Sequence, residues 1–195
     1  MSTKYSPGFT VQELQRLARD YHAKLIADFP NVNLALGGNL FLGKHCCQSN
    51  RIFLGLNPGG EEANDFKTEL LEWNFWDYPN PGCPYWENCK FFVNAAKGLH
   101  DWLTPATVAF CSPWRTPYVK KLYALNTETD GKLFQYSGEL AKRLVESHKD
   151  LAPGSQSTLV VAGRASLHLI SSPPFLDFNW LGHQKFHNGA AGTYQ

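Results

Sequence analysis

Four polar residues stand just past short apolar runs, and their positions are the ones that could support chemistry. Asn57 closes the run in RIFLGLNPGG (51–60), Ser112 and Arg115 follow the run in TVAFCSPWRTP (107–117), and Arg164 follows the run in LVVAGRAS (159–166). Short apolar runs of this kind read as strands buried on both faces. In an open α/β sheet the ligand sits outside the carboxyl ends of the strands. Asn57 therefore falls where such a sheet places ligand-binding chemistry. Gly59 and Gly60 after it allow a ligand close to the backbone. The same Asn-Pro-Gly stretch is also an ordinary turn signal. Past the third run, the backbone N–H groups at Gly163 and Arg164 open a short helix and can hold a phosphate.

The elements that position these residues follow from periodicity. Thr10-Val11-Gln12-Glu13 is a capping box, and Val11, Leu14, Leu17, Ala18, Tyr21, Leu25 and Ile26 form one stripe, so a helix is expected over 10–28. An extended piece is expected at 36–43, and strands at 51–56, 107–112 and 157–163. Helices are expected at 61–72, 89–103, 137–149 with Ser137 as its cap, and 164–170. Residues 73–88, WNFWDYPNPGCPYWEN, form a loop dense in aromatic rings, Pro and Gly. Such a loop is costly unless the rings line something. The tail from 171 is loop-like, with one strand near 183–187. Strands alternating with helices predict an α/β domain with a parallel sheet covered on both faces.

Composition narrows the class. The 195 residues suit a single domain, 1–195, with a sizeable core. A formal charge of +1 excludes a strongly basic coating but not a local basic groove. The five cysteines, with no signal peptide, argue for a reducing compartment, and their spacings match no common zinc site. No metal and no cofactor are expected. No apolar run reaches the length of a membrane span.

IFLGLNPGG resembles the first active-site motif of the uracil-DNA glycosylase superfamily, in the Gly-x-Asn-Pro-Gly form of its mismatch-specific and single-strand-selective branches. TVAFCSPWRTP is similar in position to the family's base-reading strand, LVVAGRAS to the strand after it, and FHNGAAG (186–192) to its second motif. The resemblance rests on order across residues 51–195, with only the first motif individually specific. It implies a three-layer α/β/α sandwich around a central, mostly parallel four-stranded sheet. It also implies a monomeric base-excision enzyme, cytoplasmic or, in a eukaryote, nuclear, that flips a base out of DNA and hydrolyses its N-glycosidic bond. In that frame Asn57 holds the attacking water and His187 donates a hydrogen bond to the departing base. Gly55, Leu56, Pro58, Gly59 and Ser112 line the base, and Tyr85, or Phe91 or Phe75 in its place, stacks on it. Arg115, Gly163, Arg164, Asn188 and Gly189 meet the DNA, with Lys120 and Lys121 as further candidate phosphate ligands. Asn57→Ala is expected to leave the fold nearly intact, and Asn57→Asp to keep or raise excision.

The chain departs from the family at three places. The strand that often carries an Asn for reading uracil has Phe110-Cys111-Ser112, and a hydroxyl cannot copy an amide's paired donor and acceptor. The second motif reads His187-Asn188-Gly189 rather than His-Pro-Ser. Relatives continue into a helix after this loop, where this sequence stops at Gln195, so either a truncated chain or a divergent member is expected. These departures keep a second class open: a catalytically inactive member of the fold that binds nucleic acid or a protein. A third, hydrolysis of a free nucleoside or nucleotide, would use the same pocket.

Overall fold

The strand Arg51–Gly55 (β3) is the one around which the sheet is built. The computed structural model describes residues 10–34, 37–42, 50–58, 66–67, 106–149, 158–171, 180–186 and 189–194. In chain order the elements are α1 (Val11–Asp28), β1 (Gly38–Asn39), β2 (Phe41–Leu42), β3, β4 (Phe66–Lys67), β5 (Thr107–Phe110) and α2 (Val119–Glu128). They continue with α3 (Lys132–Lys149), β6 (Thr158–Ala162), α4 (Arg164–Ser171), β7 (Trp180–Phe186) and β8 (Gly189–Tyr194).

β3 lies between β5 and β6 and runs parallel to both, with Gly55 opposite Phe110 and Leu54 opposite Val161. The full order is β2-β5-β3-β6-β8-β7, and the outer strands β2, β8 and β7 pair antiparallel. The protein is therefore a mixed α/β fold with a three-strand parallel centre flanked by helices. Where four mostly parallel strands were expected, the described sheet has these three paired in parallel; β2 and β8 run the other way, and β7, antiparallel to β8, runs in the same direction as the central three without pairing to them. β1 and β4 form a separate parallel pair.

Alternation along the strands divides the core. Ile52 and Leu54, Ala109 and Cys111, and Leu159 and Val161 join Leu14 and Ala18 of α1, Leu140 and Leu144 of α3, and Leu169 and Ile170 of α4 in one buried cluster. The opposite face is buried as well, at Phe53, Val108, Phe110 and Val160. A smaller cluster joins Leu25, Leu34 and Trp114 to Leu122 and Leu125 of α2 and Leu133 of α3.

α1 starts as its capping box predicts. The Glu13 backbone N–H donates to Thr10 Oγ1 at 3.2 Å, and the Thr10 N–H donates to the Glu13 carboxylate at 2.7 Å. The Thr10 N–H, and after it the Thr10 hydroxyl donating at 2.9 Å, hold the Glu13 carboxyl below its usual range.

Four local expectations need correction. Phe66–Lys67, expected within a helix at 61–72, is a short strand paired with Gly38–Asn39; partner pairing overrides local acidity there. α3 begins at Lys132, so Ser137 is interior, and its hydroxyl donates back to the Leu133 carbonyl at 2.8 Å. α2 had no counterpart in the sequence reading. It is set off from α3 by left-handed turns at Asp130 (φ 50) and Gly131 (φ 79). The tail holds two strands, with Phe186 paired to Gly189. No helix among the described residues is long and apolar enough to cross a membrane.

Candidate functional site

The carboxyl edge of the parallel strands carries the candidate residues side by side. β5 and β3 stay together past their ends: the Cys111 N–H donates to the Gly55 carbonyl and the Ser112 N–H to the Leu56 carbonyl, both at 2.8 Å. That register sets Asn57 beside Ser112 on the neighbouring segment. On the other side of β3, the register of Leu54 with Val161 brings Gly163 next to Leu56. Beyond β6, Ala162 pairs with Ala191, so Gly189 and the start of β8 lie at this same edge. The strand order thus lines up Ser112, Asn57, Gly163 and Gly189.

Asn57 fastens this edge. Its Nδ2 donates to Thr116 Oγ1 at 2.9 Å, to the Pro58 carbonyl at 3.0 Å and to the Trp114 carbonyl at 3.2 Å. Two carbonyl partners require a donor, so they fix which amide atom is nitrogen. What Asn57 can offer a ligand is then Oδ1, which accepts from an O–H or N–H donor. Pro58 is buried, and its carbonyl also receives the Thr116 N–H at 3.2 Å. The segment after β5 is held from its other side too: the Arg115 N–H donates to the Gly37 carbonyl at 3.0 Å, and the Asn39 N–H to the Pro113 carbonyl at 2.7 Å. Trp114 is buried, and its indole N–H donates to His22 Nδ1 of α1 at 3.2 Å. Burial lowers the His22 pKa, which keeps the ring in the neutral form able to accept that bond.

Ser112 is fully buried, and its hydroxyl has no hydrogen-bond partner among the described residues. A buried hydroxyl without a partner costs stability relative to one that is bonded. Cys111 next to it is a structural thiol: burial pushes its pKa up to about 12, and its Sγ lies 3.9 Å from the Ser166 carbonyl. Gly163 leaves β6 with φ at 86°, which turns the chain directly into α4 at Arg164. The Ser166 hydroxyl donates to the Ala162 carbonyl at 2.5 Å across that turn.

Gly55, Leu56, Asn57, Pro58, Ser112, Arg115, Gly163 and the backbone at Arg164 and Gly189 therefore gather at one edge. Gly59, Tyr85, His187 and Asn188 lie outside the described residues. Sequence reasoning missed Thr116 and the Trp114 carbonyl, which receive the Asn57 amide. The only sequence signal for them was a polar residue between Pro113 and Pro117. Among the described residues no group of His, Cys, Asp or Glu could hold a metal ion. No family model matches the chain, and neither the curated proteins nor the solved structures contain a match.

Proposed function

We propose that the protein is a DNA base-excision glycosylase that hydrolyses the N-glycosidic bond of uracil or another damaged base flipped out of DNA. The three-layer sandwich belongs to the same proposal: burial of Phe53, Phe110 and Val160 on the second face supports a second covering layer. The observation that carries the reading is Asn57 at the carboxyl end of the central strand, pinned through Nδ2 so that Oδ1 is left to accept.

In this mechanism a water donates a hydrogen bond to Asn57 Oδ1 and turns a lone pair toward C1′ of the sugar. The C1′–N bond breaks with positive charge growing on the sugar and negative charge on the base; the water oxygen then bonds to C1′, and the proton it loses ends on the departed base. A neutral carboxamide orients the water without acting as a strong base, so the base must leave readily. His187 stabilises the charge on the leaving base by donating a hydrogen bond. Gly55, Leu56, Pro58 and Gly59 border the base, Tyr85 stacks on it, and the Ser112 hydroxyl makes one bond to its edge. Arg115, Arg164 and the backbone at Gly163, Asn188 and Gly189 hold the DNA phosphates, and the enzyme acts as a monomer.

One observation favours the second reading, a non-catalytic binding protein. The Asn57 amide protons all go to fastening the loop after β5, which is a structural use of the residue. Labelled oligonucleotides carrying uracil, hypoxanthine, xanthine or a mismatch, treated with the protein and then alkali, separate the two. Strand cleavage is expected for at least one lesion, and Asn57→Ala should slow it about 100-fold at a temperature where the variant is folded. Wild-type protein that cuts none of these substrates, or an Asn57→Ala variant that cuts as fast, refutes the glycosylase reading.

A further inference from the structure

The first turn of α2 carries an exposed patch that the proposed chemistry does not use. Tyr118 is 61% exposed, Val119 44% and Tyr123 37%, where the rest of α2 turns Leu122 and Leu125 into the core. Lys120 is exposed and Lys121 half-buried, and the first turn has no acid. Neither lysine makes an ion pair with a described residue. Val119 and Tyr123 share a helix face at i, i+4, and Lys120 borders it.

This patch is joined to the candidate site by two hydrogen bonds. Thr116 Oγ1 accepts from Asn57 Nδ2 at 2.9 Å and donates to the Tyr118 carbonyl at 3.3 Å. The backbone at Tyr118 is therefore tied to the strand end, and its exposed ring projects from that point. We infer that Tyr118, with Lys120 and Lys121, forms a platform for a single-stranded stretch of nucleic acid. An unpaired base stacks on the Tyr118 ring, and neighbouring phosphates meet the two ammonium groups. The inference rests on the glycosylase reading for its choice of substrate, and it adds that the strand flanking the target nucleotide is unpaired.

Chemistry selects this occupant. Stacking on an aromatic ring needs an open base face, which a single strand offers and a closed duplex does not. A two-fold contact between copies of the chain would set the lysines of one patch against those of the other. The paired cations instead complement a polyanion.

The test is an anisotropy titration of labelled, undamaged oligothymidine and of the matching duplex, so that binding is read without excision. Wild-type protein should prefer the single strand. Tyr118→Ala should weaken that binding roughly tenfold, while Tyr118→Phe keeps it. Lys120→Ala with Lys121→Ala should flatten the slope of log affinity against log salt by about 1.4. Unchanged binding by Tyr118→Ala, or a wild-type preference for duplex, overturns the platform. The excision assay reports separately. Protein that cuts a lesion but ignores Tyr118→Ala loses the platform and keeps the glycosylase reading. Protein that binds oligothymidine through Tyr118 but cuts nothing keeps the platform and loses the glycosylase reading.

Discussion

Tyr21 and Asn57 each join distant parts of the chain through one side chain, in different surroundings. Tyr21 donates its hydroxyl to Glu139 across the α1–α3 contact. Its ring also stacks on Tyr136 with centroids 4.3 Å apart, and Lys24 sits 5.8 Å from the centre of that second ring. Three kinds of contact share the work there, and the site is half-buried. Asn57 works through one group: a single amide nitrogen serves three acceptors on two segments, and of these the Pro58 carbonyl has a second donor in the Thr116 N–H. The helix contact spreads over three side-chain interactions, whereas the side-chain bonds at the strand end come from one carboxamide, beside the backbone bonds given by Cys111, Ser112 and Thr116. A residue placed for chemistry is here also a structural fastener, so loss of activity on mutating it proves a catalytic role only if folding is measured beside it.

Substitution at Asn57 gives the largest expected effect. Asn57→Ala takes its donor from the Trp114 carbonyl, one of two donors from the Pro58 carbonyl and the bond accepted by the Thr116 hydroxyl, and should cost about 1–3 kcal/mol in urea unfolding. This corrects the expectation of a nearly intact fold. Asn57→Asp should lose a similar amount at neutral pH, because a carboxylate facing two carbonyls cannot donate. It should recover on acidification, when the acid form can donate again. A variant as stable as wild type would show that the amide bonds are incidental.

Gly163→Ala tests the neighbouring strand end, which is set by backbone conformation alone. Nothing lies within 4 Å of an added Cβ, so the cost is that of φ at 86° for a residue with a side chain, about 1–2 kcal/mol. Gly163→Asn should lose less, since Asn tolerates the left-handed region. Equal stability of wild type and Gly163→Ala would mean the turn relaxes.

Tyr21→Phe should cost about 1 kcal/mol at pH 7, less than Asn57→Ala, because the stack on Tyr136 survives. Burial first, and then the bond to Glu139, raise the Tyr21 pKa from 10.0 to about 12. A raised folded pKa favours the protonated phenol. Its contribution is complete below pH 10 and is lost as pH rises through about 12. Thermal unfolding from pH 9 upward should therefore fall more steeply for wild type than for Tyr21→Phe. Parallel curves would contradict this.

Ser112→Ala is the smallest effect. Removing a hydroxyl without a partner should change stability by less than about 0.5 kcal/mol, or raise it. If excision or nucleic-acid binding falls while stability holds, the hydroxyl serves a ligand. If both hold, the site does not use it.

The parts legible in the sequence were those encoded locally. Thr10 and Glu13 specify the start of α1 within four residues, and the runs at 51, 107 and 158 give β3, β5 and β6 because fully buried parallel strands are continuously apolar. α2 escaped because Tyr118 supplies no capping side chain and only Leu122 and Leu125 are buried, too short a stripe to register. Ser137 misled because a serine that bonds back within a helix looks the same in sequence as one that begins a helix. The place of Asn57 was legible; its grip on Thr116 was not, since that bond needs two strand ends that meet only in the folded sheet.

The central place of β3 has a consequence for how the chain reaches its structure. Ile52 pairs with Thr107 and Arg51 with Thr158, so both partners of β3 are synthesised long after it. Each pairing must close a long loop before any contact repays the lost chain entropy. Until β6 emerges, the Ile52-Phe53-Leu54 segment has one backbone edge open, and it is apolar on both faces. A nascent or stalled chain ending before residue 158 thus displays a template for pairing with other chains, which makes it a natural client for a chaperone.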